Sequence, residues 1–198
     1  NGQKYTVSGL TTEDPKQKDA GTYTNNLSGT PVVKDAKGND VTAQFKVKTK
    51  NGSLVINKAE VTLKSADLSK EYDGTALVNG NTALEKESGF AEGEGVTYTF
   101  TGSQTLVGSS SNAFSYSLNS NTKADNYTIN KSEGTLTVTN RDAKYEIEVK
   151  ANSATATYDG KEHEAKGVET YEFTVNGQKY TVSGLTTEDP KQKDAGTY

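Results

Sequence analysis

Chemistry in this chain would have to come from a short set of side chains. His163 is the sole histidine and lies in the charged run Lys161-Glu162-His163-Glu164. General-base catalysis needs a base within hydrogen-bond reach of its target, and zinc needs several convergent ligands. Neither can be assembled around His163, which reads as part of a solvated turn. Glu71/Asp73 and Glu92/Glu94 imitate the carboxylate pair of a glycosidase, but nothing between them marks a cleft, so they read as solvent-facing charge. Asp35, Asn39 and Asp40 offer oxygen ligands to calcium. Their segment lacks EF-hand spacing and its terminal glutamate, and it reads as a polar hairpin loop. The absence of cysteine removes disulfides, Cys-ligated zinc and thiol catalysis together. From these residues we expect no catalytic, cofactor or metal site, and a chain that is not an enzyme.

The residue types for two modification chemistries are also present. Sequons occur at Asn26, Asn51, Asn126 and Asn130, three of them in expected strand or turn context. An internal Lys–Asn isopeptide bond requires a lysine and an asparagine brought together beside a buried acid. Lys64, Lys150, Asn57 and Asn140 supply the residue types without showing which pair would be buried.

The organisation of the chain is far more explicit. Residues 1–23, NGQKYTVSGLTTEDPKQKDAGTY, return letter for letter as residues 176–198. The chain therefore spans slightly more than one period of a tandem array, and copy number, hence length, is the property such an array varies. A fainter repeat lies beneath. Tyr72-Asp73-Gly74 recurs as Tyr158-Asp159-Gly160. The run Tyr127-Thr128-Ile129 before Gly134-Thr135-Leu136-Thr137-Val138 matches Phe45-Lys46-Val47 before Gly52-Ser53-Leu54-Val55-Ile56. Each copy reads as strand, glycine turn, strand, with Tyr127/Ile129 and Leu136/Val138 on one face. These landmarks give three parts: 1–56 as the end of a module, 57–140 as one complete module, and 141–198 as the start of the next.

Only 31% of residues are hydrophobic and mean hydropathy is -0.79, so each core must be thin. The net charge of -4, with both signs interspersed, argues against nucleic acid, and no apolar run approaches a membrane span. The absence of methionine reads as an internal segment whose native start lies elsewhere. Alternation predicts strands at Tyr145–Val149, around Val61 and Leu63, and at Tyr171–Val175, Lys179–Val182, Val96–Phe100 and Phe114–Leu118. Turns are expected at Asn176-Gly177, Asn51-Gly52 and Lys37-Gly38-Asn39-Asp40. Helix signals are poor. The expected fold is all-β, built of small immunoglobulin-like β-sandwiches placed end to end as an elongated rod, with a β-grasp-like module as the alternative. Asp19-Ala20-Gly21-Thr22-Tyr23 has the D-x-G-x-Y form of a tyrosine corner, whose Asp19, Gly21 and Tyr23 would pin two sheets. Tyr72, Asp73 and Gly74, like Tyr158, Asp159 and Gly160, would make a turn that closes the end of a core.

The Tyr-Asp-Gly segment, a glycine–aromatic segment (Val107-Gly108 to Tyr116; Asp19 to Tyr23) and NYTINKSEGTLTVTNR together resemble the YDG-type repeats called MBG domains. The resemblance covers essentially the whole chain. It implies a bacterial extracellular or wall-anchored protein, often an adhesin, and supplies no catalytic residue. The function expected is a stalk that projects a terminal adhesive domain, each module adding roughly 30–40 Å at strand rise and bracing its neighbours. Its partners would then be the neighbouring modules. The alternatives are repeats that themselves bind host or cell-wall glycans with avidity, and self-assembly into filaments by strand donation.

Overall fold

The computed structural model describes residues 2–80 and 83–197, so Asn1 and Tyr198, the outer ends of the exact repeat, lie outside the described residues. The fold is all-β. Helix among the described residues amounts to two single 3-10 turns, Thr42–Gln44 and Ala124–Asn126. This matches a composition rich in Thr, Val and Tyr with glycine throughout. No helix among the described residues is long and apolar enough to cross a membrane. Contacts divide the chain into two compact units, Asn1–Ser65 with Thr82–Thr99 and Phe114–Glu133, and Ala66–Asn81 with Phe100–Ala113 and Gly134–Tyr198.

In the first unit, Thr6–Thr12 pairs antiparallel with Leu27–Lys34, with a bulge between Ser8 and Leu10. Gly21–Asn25 pairs antiparallel with Gly52–Ile56. Ala59–Lys64 lies between Tyr127–Ser132, which runs parallel to it, and Lys86–Ser88, which runs antiparallel. Phe114–Leu118 joins Val96–Phe100. The alternation of Val61 and Leu63 with polar residues puts both in the core, where Val96, Phe114 and Tyr127 are also buried. Each such aliphatic side chain contributes about 1.5–3 kcal/mol.

In the second unit, Thr135–Thr139 lies between Gly108–Ser111, antiparallel, and Leu68–Glu71, parallel. Leu136 and Val138 are its buried centre. Leu77–Val78 pairs with Ser103–Gln104, His163–Glu164 with Lys191–Gln192, and Glu172–Val175 with Gln178–Thr181. The last pair is a hairpin whose Asn176 and Gly177 both have positive φ (50° and 76°), the backbone that a two-residue connection between twisted strands requires.

Several sequence expectations need correction. Tyr145–Val149 forms no strand, and Phe45 and Val47 follow a 3-10 turn in irregular backbone. Alternation marks a segment that can lie at a sheet surface, but a strand exists only where a partner supplies its hydrogen bonds. Tyr127–Ser132 and Thr135–Thr139 do form on either side of Glu133-Gly134, yet they are not a hairpin. Each takes a parallel partner more than sixty residues earlier in the chain.

Candidate functional site

The Tyr72-Asp73-Gly74 loop leaves the strand Leu68–Glu71 and is closed first by its own neighbours. The Asp73 carboxylate accepts hydrogen bonds from Lys70 Nζ, the Thr75 amide and the Thr75 hydroxyl, each at 2.8 Å. Asparagine-like turn bonding of this kind is what aspartate offers at such a position. The Lys70 ammonium, followed by the Thr75 donors, holds the Asp73 carboxyl far below the usual carboxylate range.

Against this loop sits the tip of the hairpin Glu172–Val175/Gln178–Thr181. The Tyr72 and Tyr180 hydroxyls are 3.0 Å apart. The Asn176 amide donates to the Tyr145 hydroxyl at 2.8 Å and to the Asp73 carbonyl at 3.5 Å. The Arg141 guanidinium lies 4.3 Å from the centre of the Tyr145 ring and donates to the Tyr72 carbonyl at 3.4 Å. Sharing of a hydrogen bond with Tyr72 pushes the Tyr180 phenol up to about 12. Gly74 has φ +82°, and a Cβ there would stand 2.6 Å from Tyr180 Oη and 3.0 Å from Gln178 Cγ. Two independent conditions, a left-handed backbone and the approach of the hairpin, therefore call for glycine. The three letters divide the work: Tyr72 bonds the hairpin, Asp73 builds the turn, and Gly74 leaves room.

Tyr158-Asp159-Gly160 forms the same kind of turn, with no hairpin among the described residues seated against Gly160. Asp159 accepts from the Lys161 amide at 3.0 Å and lies 2.9 Å from His163 Nε2. The Lys161 amide first, then His163, lowers its pKa. Tyr158 is 64% exposed, and no described atom lies within 4 Å of a Cβ built at Gly160. His163 is thus a turn-stabilising partner of Asp159.

A second joint forms in the first unit around Asp19. The Tyr23 hydroxyl donates to the Asp19 carbonyl at 2.9 Å, closing a corner at Gly21, where the strand Gly21–Asn25 begins. The Asp19 carboxylate accepts from Lys123 Nζ at 2.7 Å and from the Asn126 amide at 3.0 Å, while the Ala20 amide donates to Asn126 Oδ1 at 2.8 Å. Lys123 and then Asn126 lower the Asp19 pKa, and Asp19 in turn raises that of Lys123. Lys123 and Asn126 bracket the 3-10 turn that leads into Tyr127. The Tyr127 ring packs edge-on against Phe90 at 5.1 Å, and its hydroxyl donates to Glu94 at 2.7 Å and accepts from the Ala91 amide at 3.1 Å. The Ala91 amide pulls that phenol down, but the Glu94 bond and burial outweigh it and leave its pKa raised. Gly134 offers its carbonyl to the Asn112 amide at 2.8 Å, and Leu136 is wholly buried.

The side-chain oxygens of Asp35 and Asp40, which could have served a metal, are used within their own loop. The Asp35 carboxylate accepts the Lys37 amide, the Asn39 amide and the Asn39 side chain, all at 2.9 Å. Asp40 accepts the Thr42 amide and hydroxyl. Among the described residues no three His, Cys, Asp or Glu side chains converge as metal ligands would. The sequon asparagines tie strands and loops: Asn26 to Glu13, Asn51 to Asn26, Asn130 to Glu60, each at 2.8 Å. Lys64 lies 2.7 Å from Glu85.

Sequence reasoning placed the Tyr-Asp-Gly and Asp19–Tyr23 motifs at turns but missed Tyr180, Asn176, Tyr145, Arg141 and Lys123. Asn176-Gly177 was legible as a turn; nothing local says which loop that turn meets. No protein-family model, no curated protein and no solved structure matches this chain.

Proposed function

We propose that this chain is a mechanical spacer: a tandem-repeat segment of a bacterial cell-surface or secreted protein, built of small β-sandwich modules and holding a terminal adhesive domain away from the envelope. The reading includes the resemblance to YDG-type MBG repeats and a non-catalytic role. The observation that carries it is the seating of the 172–181 hairpin on Tyr72-Asp73-Gly74. In the repeat arithmetic these residues belong to consecutive modules, 57–140 and 141–198, and they are joined by side-chain hydrogen bonds and a steric fit at Gly74. The Asp19–Lys123–Asn126 contact does the same for 1–56 and 57–140. A spacer must resist bending where modules meet, and joints of this kind, with no Gly/Ser linker between them, supply that resistance.

The neighbouring modules are then the chief partners. Small-angle scattering of arrays of one, two and four periods tests the reading. The maximum dimension should grow in proportion to copy number. Arrays that condense into compact particles would eliminate the spacer.

A further inference from the structure

Both ends of residues 57–140 are tied by parallel ladders. Ala59–Lys64 runs beside Tyr127–Ser132 in the register Ala59↔Tyr127 to Lys64↔Ser132. Leu68–Glu71 runs beside Thr135–Thr139 in the register Leu68↔Leu136 to Glu71↔Thr139. In each ladder the strand nearer the start of the chain pairs with the strand nearer its end. Tension applied to a ladder at the start of its first strand and the end of its second, at Asn57 and Glu133 for the ladder of the first unit, would pull the two strands in opposite directions along their own line. Parallel strands so loaded slide past one another, and every rung opposes the motion at once. Antiparallel terminal strands that meet at one end would instead peel, a rung at a time.

Each ladder is further strapped within its own unit. Both early strands are interrupted at 65–67 and both late strands at 133–134. Across the second unit's side of this interruption, the Asp67 carboxylate accepts the Thr135 amide at 2.7 Å. Asn112, wholly buried, donates its amide N–H to the Gly134 carbonyl at 2.8 Å and its side-chain amide to the Ala66 carbonyl at 2.8 Å. In the first unit the Ser65 amide reaches the Ser132 carbonyl at 3.3 Å, and Asn130 Nδ2 donates to Glu60 at 2.8 Å across the ladder. The Tyr72 amide, bonded to the Thr139 carbonyl at 2.9 Å, extends the second ladder to the edge of the Tyr-Asp-Gly loop.

We propose that each of the two parallel ladders acts as a shear clamp, a load-bearing element that resists unfolding when tension runs along its strands. The proposal rests on the spacer reading for its purpose but not for its physics. The experiment is single-molecule pulling on the full chain, which has no native cysteine to compete with introduced attachment points. In one version the handles are Asn57→Cys and Glu133→Cys, which load the ladder of the first unit in shear. In the other they are Asn57→Cys and Asp125→Cys, which grip the Ala59↔Tyr127 end and peel the first ladder. At one loading rate, the shear geometry should need a several-fold higher unfolding force, because forced rupture follows the unfolding rate along the pulled coordinate. Asn130→Ala, which removes the bond to Glu60 across this ladder, should lower the force in the shear geometry and leave the peeling force unchanged. Equal forces in the two geometries, or an Asn130→Ala loss that is the same in both, would overturn the clamp. Failure here with arrays that still lengthen in proportion to copy number removes the clamp and leaves the spacer. A large force ratio in arrays that collapse removes the spacer and leaves the clamp.

Discussion

Replacing Gly74 by alanine, with Gly160→Ala as its partner experiment, separates the joint from the turn that carries it. Gly74 has φ +82° and Gly160 φ +76°. A β-carbon in that left-handed backbone costs about 1–2 kcal/mol at either position. At Gly160 nothing further is expected, because no described atom lies within 4 Å of the added carbon. At Gly74 the new methyl stands 2.6 Å from Tyr180 Oη and 3.0 Å from Gln178 Cγ, so the hairpin tip has to move. Forcing an extra methyl into a packed contact costs about 1–3 kcal/mol. Tyr180 presents the far end of a side chain that can swing aside, which points to the low end, about 1 kcal/mol. The readout is native-state hydrogen exchange of the amides in Glu172–Val175 and Gln178–Thr181. A loss of that size should speed their exchange roughly five-fold in Gly74→Ala, while Gly160→Ala leaves those amides unchanged. Equal exchange in the two variants would show that Gly74 serves only its own turn, and the joint would have no basis.

Three further outcomes are expected. The Tyr180 phenol binds its proton more tightly than the ordinary value of 10.0, so the joint is whole below pH 10 and loosens as pH rises toward 12. Phenolate absorbance of wild type minus Tyr180→Phe should show one late-titrating tyrosine, which moves back toward the ordinary value in Tyr72→Phe. A Tyr180 that titrates with the free phenols in wild type would contradict the hydroxyl contact. Leu136→Ala, at a wholly buried site, should cost about 2–5 kcal/mol in urea denaturation followed by circular dichroism; a loss under about 1 kcal/mol would place the core elsewhere. Leu10→Asp and Leu185→Asp change the same letter of the exact repeat in different surroundings. Leu10 is half-buried and pairs with Gly29, whereas Leu185 is exposed. The first should cost about 1–2 kcal/mol and the second within about 0.5 kcal/mol, measured by the same denaturation; equal costs would contradict the assigned pairings.

That last contrast also shows what the sequence could and could not reveal. The two copies of the 23-residue repeat share their local backbone. Gly9 and Gly184 have φ +77° and +75°, Asp14 and Asp189 +51° and +49°, and the threonine two residues before each aspartate bonds its carboxylate. Their pairings nevertheless differ. Thr6–Thr12 lies against Leu27–Lys34, while in the second copy Gln178–Thr181 pairs with Glu172–Val175 and Lys191–Gln192 with His163–Glu164. Backbone dihedrals and turn chemistry are decided within a few residues, so they are legible; strand partners are decided by whatever else is present. For this reason Val96–Phe100 and Phe114–Leu118 were placed correctly from alternation alone, yet the parallel partners of Tyr127–Ser132 and Thr135–Thr139 were not foreseen. The candidate site divides the same way. Tyr72, Asp73 and Gly74 announce a turn because aspartate and glycine make one. Tyr180 and Asn176, more than a hundred residues later, announce nothing about where they will dock.

Rigidity at the Tyr-Asp-Gly joint is the claim on which the spacer depends. Spin labels on cysteines introduced at Ser109 and Thr174, both exposed and both within the second unit, report it through the electron–electron distance distribution. One narrow peak, broadened by Gly74→Ala and untouched by Gly160→Ala, is the expected result. A wide or multi-peaked distribution in the wild-type chain would mean that the hairpin does not stay seated on Tyr72-Asp73-Gly74, and the repeats would then be beads on a flexible string.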